Sequence, residues 1–457
     1  MPMRTFFYGL ILLLSLRANA QAPRLWGMTG AFDQLQQYGT IFSIGMDGSD
    51  YQIEYVFSPA DGYDNQGGLC LAPNGKLYGA THYGGLYDHG TLFSFDPNSG
   101  EFEKIFDIDY GDQIGPTWCT PLLASDGYLY GAGVANMYRI DPATDEVFML
   151  PPYNVNESLV QAPEGWIYGA EVYGGFNGSF GDGLIFRYDP TSTQVEELYE
   201  MGPSDGHKPY GKLCLAENGK LYGVTHDGGY NDEGVVYEFD RTTEEHSTVA
   251  NFGLVGGAAC WAGFISAGPD LLLNTTVEGG TYNDGTICSF RPSTNTLAVV
   301  HSFDQNAFPF GGLLQASNGW IYGMTNNGGN GSGTIYRFDT TNYEVDVIFE
   351  FPGAMDGHSP NAELIEVGGS VGAMESGNGD LQIRVHPNPT SGITKLVMGN
   401  DGPGRWVITL CDPVGRSLWT RNVTSKDEMI QLPQQRGMYL LKVSGEGGSK
   451  VLRIVVE

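Results

Sequence analysis

Four short segments carry the residue types best suited to proton transfer: Asp205-Gly206-His207-Lys208-Pro209, Asp356-Gly357-His358-Ser359-Pro360, Thr81-His82 and Thr225-His226-Asp227. An imidazole beside a carboxylate can pass a proton near neutral pH, which makes His207 and His226, with Asp205 and Asp227, the candidate catalytic groups. The segments recur as part of a longer pattern, and this favours the competing reading that the Asp side chains fasten turns through backbone N–H groups. A second set consists of loop side chains able to stack on a sugar ring or anchor a peptide: His82, Tyr83, Tyr87, Tyr173, Phe176, Tyr230, Tyr282 and His358. For the aromatic members the alternative is packing between neighbouring repeats. A third set, Asp88, Asp232 and Asp284, places carboxylates just ahead of Gly in a composition that would suit calcium as a cofactor, although no complete DxDxDG-type loop is present. Turn chemistry is again the alternative. No CxxC or His-x-x-His spacing points to zinc.

These candidates all sit in the loops of one repeated unit, seen most clearly from Gly68 to Asp96. Each copy has an apolar run, a polar Gly turn, a second apolar run ending in aromatic-Gly, a glycine-rich loop, and a third run opened by Gly-Thr. The aromatic-Gly pairs are Trp26-Gly27, Tyr78-Gly79, Tyr130-Gly131, Tyr168-Gly169, Tyr222-Gly223, a degenerate Leu273-Asn274, and Tyr322-Gly323. Successive second members of these pairs lie 52, 52, 38, 54, 51 and 49 residues apart. A period near 50 with four strand-sized runs predicts an all-β, seven-bladed β-propeller over residues 21–367. In the second copy the strands fall at 68–72, 76–81, 91–96 and 101–107, with turn sequences Pro73-Asn-Gly75 and Pro97-Asn-Ser-Gly100 between first and second and between third and fourth. The two longer connections of each blade must then emerge on a common face, where function is expected. The first copy lacks a first strand, while a spare run, Ala362 to Val367, follows the last copy. Together they complete a blade and close the ring, removing exposed sheet edges.

Residues 1–20 place Arg4 ahead of an apolar core from Phe6 to Leu16 and then Ala18-Asn19-Ala20, the pattern of a secretory signal cleaved between Ala20 and Gln21. No later stretch has the uninterrupted apolar length of a membrane helix. Residues 21–380 hold 11 Lys and Arg against 47 Asp and Glu, whereas 381–457 hold 10 against 6. That step marks a domain boundary, and the acidic body argues against nucleic-acid binding. Export permits disulfides among the six cysteines. Cys70 and Cys214 sit in first strands, and Cys119 and Cys260 sit just ahead of first strands, so Cys70–Cys119 and Cys214–Cys260 are candidate bridges between adjacent blades. The alternative is that they are small buried apolar residues.

The order Leu-Tyr-Gly-x-Thr, Gly-Gly, Gly-Thr-(Leu/Ile/Val)-(Phe/Tyr)-x-Phe resembles the secreted bacterial tandem repeat called GloVer across about residues 25–367. Kelch repeats are similar in period and Gly-Gly doublet, but their distal Trp is missing here. The GloVer resemblance implies a propeller and export, with no particular activity.

After a Gly/Ser-rich linker, 368–380, the runs Leu381–Gly392, Trp406–Leu410, Gly437–Val443 and Lys450–Val456 read as strands of a small Ig-like β-sandwich over 381–457. The turn containing Pro387, Asn388, Pro389 and Gly392, with Gly437 and Tyr439 in a later strand, resembles the type A C-terminal sorting domain of the type IX secretion system. This resemblance implies a Bacteroidetes-type origin, passage through the periplasm, the type IX machinery as a partner, and release or surface attachment of the remainder.

Two functional readings follow. One is an exported, monomeric, non-enzymatic propeller that binds a glycan or protein ligand for adhesion or capture. The other is a secreted polysaccharide hydrolase or lyase using His207, His226 and neighbouring carboxylates.

Overall fold

The computed structural model describes residues 22–30, 38–109, 118–153, 155, 159–175, 179–253, 257–353 and 359–368, together with seven strands between 382 and 456. The signal segment 1–20, nearly all of the linker, Phe176, His358 and the Pro387–Gly392 turn lie outside the described residues. Seven four-stranded antiparallel sheets form the repeat region, and in each the strands run in order from the innermost, strand 1, to the outermost, strand 4. The second blade has strands Cys70–Leu71, Leu77–Ala80, Thr91–Asp96 and Glu101–Asp107. The last two match the sequence-based limits, and the first two are shorter. In blade four the loop between strands 2 and 3 carries an added hairpin, Gly174–Gly175 with Ser179–Phe180. Among the described residues no helix is long and apolar enough to cross a membrane.

Blade one is the composite. Its strand 1, Ile365–Val367, comes from the far end of the repeat region and pairs antiparallel with Arg24–Met28, Trp26 opposite Ile365 and Arg24 opposite Val367. Leu364 is buried against Leu25 and Phe42. The short strand-1 to strand-2 turns hold because Gly75 takes a left-handed φ of +84°, while the Asn74 side chain accepts a hydrogen bond from the Lys76 N–H at 3.0 Å. The Asn74 amide also donates to the Tyr78 hydroxyl at 2.8 Å, and Asn218 with Tyr222 and Asn318 with Tyr322 repeat the contact. The buried tyrosine of the aromatic-Gly pair thus keeps its polar tip satisfied.

The glycine of that pair has a steric cause. Gly27, Gly79 and Gly169 lie directly opposite Phe42, Phe93 and Phe186 on strand 3, and Gly131, Gly223 and Gly323 lie opposite Tyr138, Tyr237 and Tyr336. A Cβ on Gly79 would stand 2.6 Å from the Phe93 ring and 3.1 Å from Leu69. In blade six the position holds Asn274, and its opposite residue is Cys288, so a small side chain replaces the ring where a side chain replaces the glycine. The degenerate copy is therefore a compensated one. In the six blades other than the shortened third, the strand 3–strand 4 register shifts by one residue immediately before this strand-3 position. Such a bulge steepens the local twist.

The tail forms two antiparallel sheets. One contains Gln382–His386, Ile393–Gly399 and Asp427–Gln431; the other contains Ser417–Val423, Trp406–Cys411, Gly437–Gly445 and Gly448–Val456. This is the expected sandwich, with three strands beyond those read from the sequence.

Two outcomes are expected. Deleting 361–367 should remove the strand that closes the ring and lower the thermal midpoint of the propeller sharply, and an unchanged midpoint would show closure by another route. Gly79→Ala should cost about 1–3 kcal/mol through overpacking, and the same change should cost much less in a Phe93→Cys background. Urea titration of the four members of that cycle measures the coupling.

Candidate functional site

The two long connections of each blade do share a face. Tyr63 pairs with Tyr83, His207 with Asp227 and Ala258 with Glu278, each time joining the loop that arrives from the previous blade to the loop between strands 2 and 3. Within the second loop type the Gly-Gly doublet folds back through consecutive left-handed residues, Gly84 at +80° and Gly85 at +75°. The N–H of the first glycine then meets an Asx side chain four residues on: Gly84 to Asp88 at 3.1 Å, Gly228 to Asp232 at 3.0 Å, and Gly279 to Asn283 at 3.0 Å. Asp284, one place further on, accepts the Asn306 N–H at 3.0 Å. Of the three calcium candidates, Asp88 and Asp232 fasten their own turns and Asp284 ties its loop to the connection that enters the next blade. Among the described residues no group of three His, Cys, Asp or Glu side chains is arranged to hold a metal ion.

Of the acid-base candidates, Asp205 stands apart. Its carboxylate accepts from the Tyr199 hydroxyl at 2.8 Å and the Gly202 N–H at 3.0 Å, as Asp61 accepts from Tyr55 at 2.9 Å and Ser58 N–H at 3.1 Å. His207, His226 and Asp227 do come together. His226 Nδ1 and the Lys208 ammonium both contact the Asp227 carboxylate, and His207 Nε2 lies 3.9 Å from it and 3.9 Å from Asp232. Burial alone would raise the Asp227 carboxyl, but the hydrogen bonds and charges of Lys208 and His226 hold it below the usual carboxylate range.

The cysteine pairing does not hold. Cys70, Cys119, Cys214 and Cys260 remain thiols. Counting back from the buried strand-1 residues Leu69, Leu213 and Phe264 puts Cys119 level with Gly67 but Cys260 level with Asn65, two residues apart along the chain. They are not equivalent positions, and neither lies level with Cys70 or Cys214. Cys214, Cys260 and Cys288 share one apolar core, and burial pushes the Cys214 thiol up to about 12. These are the small buried residues of the alternative reading.

The same count exposes a feature absent from the sequence-based candidates. Three residues before the buried strand-1 position in six of the seven blades stand Gln66, Trp118, Tyr210, Trp261, Phe310 and Asn361, around the propeller axis. Together with Val134, Val172, Tyr173 and Asn326 from the strand 2–strand 3 loops, they line a cavity of about 590 Å³. The position after each is small: Gly67, Cys119, Gly211, Ala262, Gly311 and Ala362. A Cβ on Gly67 would lie 2.8 Å from the Cys119 carbonyl oxygen, so close approach of neighbouring inner strands requires the lost side chain. The cavity wall carries no formal charge. Tyr210 and Trp261 stack at 4.6 Å with rings nearly parallel, and Tyr210 shares a 2.8 Å hydrogen bond with the Tyr173 hydroxyl. The Asn326 amide donates to the Asn361 side chain.

Two candidate imidazoles support this wall from behind. His82 is buried and stacks on Trp118 at 4.4 Å. His226 meets Tyr210 at 5.4 Å and Trp261 at 5.2 Å, edge to face. Neither lines the cavity, and of the candidate tyrosines only Tyr173 does. Tyr83 packs edge-on against His82, while Tyr87, Tyr282 and Tyr230 are exposed, the last at 92%.

Seven radial sheets around an axial, largely aromatic cavity define the molecule as a β-propeller. The sequence profile of the Gloeobacter/Verrucomicrobia repeat matches residues 15–175 and 154–383, and the chain belongs to that family. No curated protein matches it. Among solved structures it is similar to a putative 6-phosphogluconolactonase from Bacteroides fragilis NCTC 9343, with 12% identity and a TM-score of 0.51 over 77% of this chain and 99% of that one. It is also similar to the periplasmic gluconolactonase of Pseudomonas aeruginosa, with 14% identity and a TM-score of 0.51 over 75% and 99%. TolB from Acinetobacter baumannii matches at 15% identity and a TM-score of 0.40, over 60% of this chain and only 62% of its own length. At these identities the likeness is one of fold.

The lowered Asp227 carboxyl makes a signed prediction. Its charged form is favoured by folding, so that stability is present above the ordinary carboxyl value of 3.8 and is lost as pH falls through the lower folded value. Asp227→Asn should reduce stability at pH 7 by about 1 kcal/mol, after allowance for screening. The difference between wild type and variant should shrink below about pH 4, followed by thermal midpoints across the acid range.

Proposed function

We propose that the protein is an exported binding propeller that captures a neutral glycan in the axial cavity. The observation that carries this reading is the composition of the wall: broad aromatic side chains from Trp118, Tyr210, Trp261 and Phe310 beside the amides of Gln66, Asn326 and Asn361, with no charged side chain among the lining residues. Aromatic faces suit the apolar faces of sugar rings, and primary amides both donate and accept as sugar hydroxyls do. The volume falls within the usual range for ligand pockets of about 300–1,000 Å³. The acidic body, with 47 Asp and Glu against 11 Lys and Arg between 21 and 380, disfavours polyanionic ligands. Export by the 1–20 segment, and sorting of the chain through 381–457 by the type IX machinery, complete the proposal and would deliver this face to the cell surface or beyond it.

The hydrolase or lyase reading draws on His207, His226, Asp227 and Lys208. It is weakened by geometry, because His226 contacts the cavity wall from behind and does not line the cavity.

A glycan array and a panel of neutral polysaccharides, presented to the purified chain, separate the readings. Bound and uncleaved glycan is expected, and release of soluble oligosaccharide would favour catalysis. Trp261→Ala should weaken binding about tenfold or more, as loss of an aromatic anchor costs about 2 kcal/mol. Tyr230→Ala, at an exposed loop tip away from the cavity, should leave it unchanged. The reverse result would move the site to the loop tips.

A further inference from the structure

An ion pair lies deeper along the inner strands than the residues that line the axial cavity. Two residues beyond Tyr210 and Asn361, the side chains of Lys212 in blade five and Glu363 in blade one meet. In a ring of seven, these blades lie three places apart, the greatest separation possible, so a bond between their inner strands must cross the axis. Glu363 is also the neighbour that a Cβ would meet on Gly312 of blade seven, at 2.9 Å from its carboxylate, and on Gly68 of blade two, at 3.0 Å from its Cγ. One side chain therefore reaches blades two, five and seven from blade one, which places it in the central channel. The absence of side chains at Gly68 and Gly312 leaves the space it fills. Gly263 of blade six crowds the Lys212 backbone and stem in the same way, with a Cβ 2.7 Å from Lys212 Cγ. The Gly68 N–H is used by the Thr120 hydroxyl at 2.7 Å, tying blades two and three at this level. Both partners of the pair are largely sheltered, with about one fifth of each side chain exposed.

Resting on the glycan reading above, we propose that the cavity is a blind pocket for the terminus of a neutral oligosaccharide and does not accept the middle of a chain. A polymer cannot thread a channel barred by Lys212 and Glu363, and the walls formed by Trp118, Tyr210, Trp261 and Phe310 surround the axis instead of forming an open groove across the face. A sugar enters end first from the long-loop side. The volume accommodates a ligand of about two or three sugar rings, so residues beyond those project into solvent.

The test is titration calorimetry of the full chain with linear oligosaccharides of increasing length, each set against an endless counterpart of the same linkage. Maltoheptaose is paired with β-cyclodextrin, and linear β-1,2-glucan with cyclic β-1,2-glucan. Laminarin oligosaccharides and cello-oligosaccharides extend the length series. For the linkage that binds, the linear form should bind at least tenfold tighter than the cyclic one, and affinity should stop rising after two or three residues. Equal binding of the cyclic form, or affinity that climbs with every added residue, would overturn end recognition while leaving glycan binding intact. No binding by any oligosaccharide would overturn both readings. In the Lys212→Ala/Glu363→Ala double variant the barrier is removed, and the affinity plateau should move to longer chains. A folded double variant with the wild-type plateau would show that the pair does not bar the channel, and if the variant does not fold, the wild-type series still decides.

Discussion

The steric constraint that recurs from blade to blade is the passage of a strand-3 ring over a bare backbone on strand 2. Gly27, Gly79, Gly131, Gly169, Gly223 and Gly323 each face an aromatic residue across one rung of the sheet, and at Gly79 the ring leaves 2.6 Å for a Cβ. The ring fills the space that a strand-2 side chain would occupy and, with a strand-1 leucine beside it at Gly27, Gly79, Gly169 and Gly323, carries the blade's apolar face toward its neighbour. Blade cores are consequently shared: Tyr78 packs with Leu129, Tyr138 and Ile140 of the next blade, and Tyr168 with Leu221, Tyr237 and Phe239. No blade buries its apolar face alone, which is why the ring has to close.

Closure brings the inner strands to the axis, and there a second packing demand operates. Small residues at Gly67, Gly211, Ala262, Gly311 and Ala362 let successive strands approach, and this spacing decides the width of the channel. The residue before each small one is thereby presented to the axis, and the residue after it stands one level deeper. A rim of Trp, Tyr, Phe and amide side chains above a Lys–Glu pair is the outcome. Asn361 and Glu363, which contribute to rim and pair, both come from the segment that leads into the closing strand, so the same stretch completes the ring and the cavity.

The histidines and carboxylates that first suggest catalysis have mostly local duties. Asp88, Asp232 and Asn283 receive the first N–H of a Gly-Gly turn, and Asp61 and Asp205 tie a serine or glycine N–H and a tyrosine hydroxyl. His82 and His226 brace the aromatic wall. Such roles repeat from blade to blade because the turns repeat, and that repetition is what a catalytic group, needed once, would lack.

From the sequence alone, the period of the aromatic-Gly pairs determined the propeller, its seven blades and the strand that closes it, because strand spacing and turn chemistry are local properties. It also indicated that the long loops share one face, since loop length follows directly from the chain. The second blade's outer two strands could be read to the residue. The cavity could not be read in that way, although its column was present three residues ahead of the buried strand-1 position in six blades. Those six residues differ in type, from Gln66 to Trp261, and so show no motif; they become a site only when seven distant segments converge on an axis. The cysteine pairing failed for a related reason, as a two-residue offset along a strand is invisible until register is known. The ion pair was least legible of all, because Lys212 and Glu363 lie 151 residues apart and meet only across the closed ring.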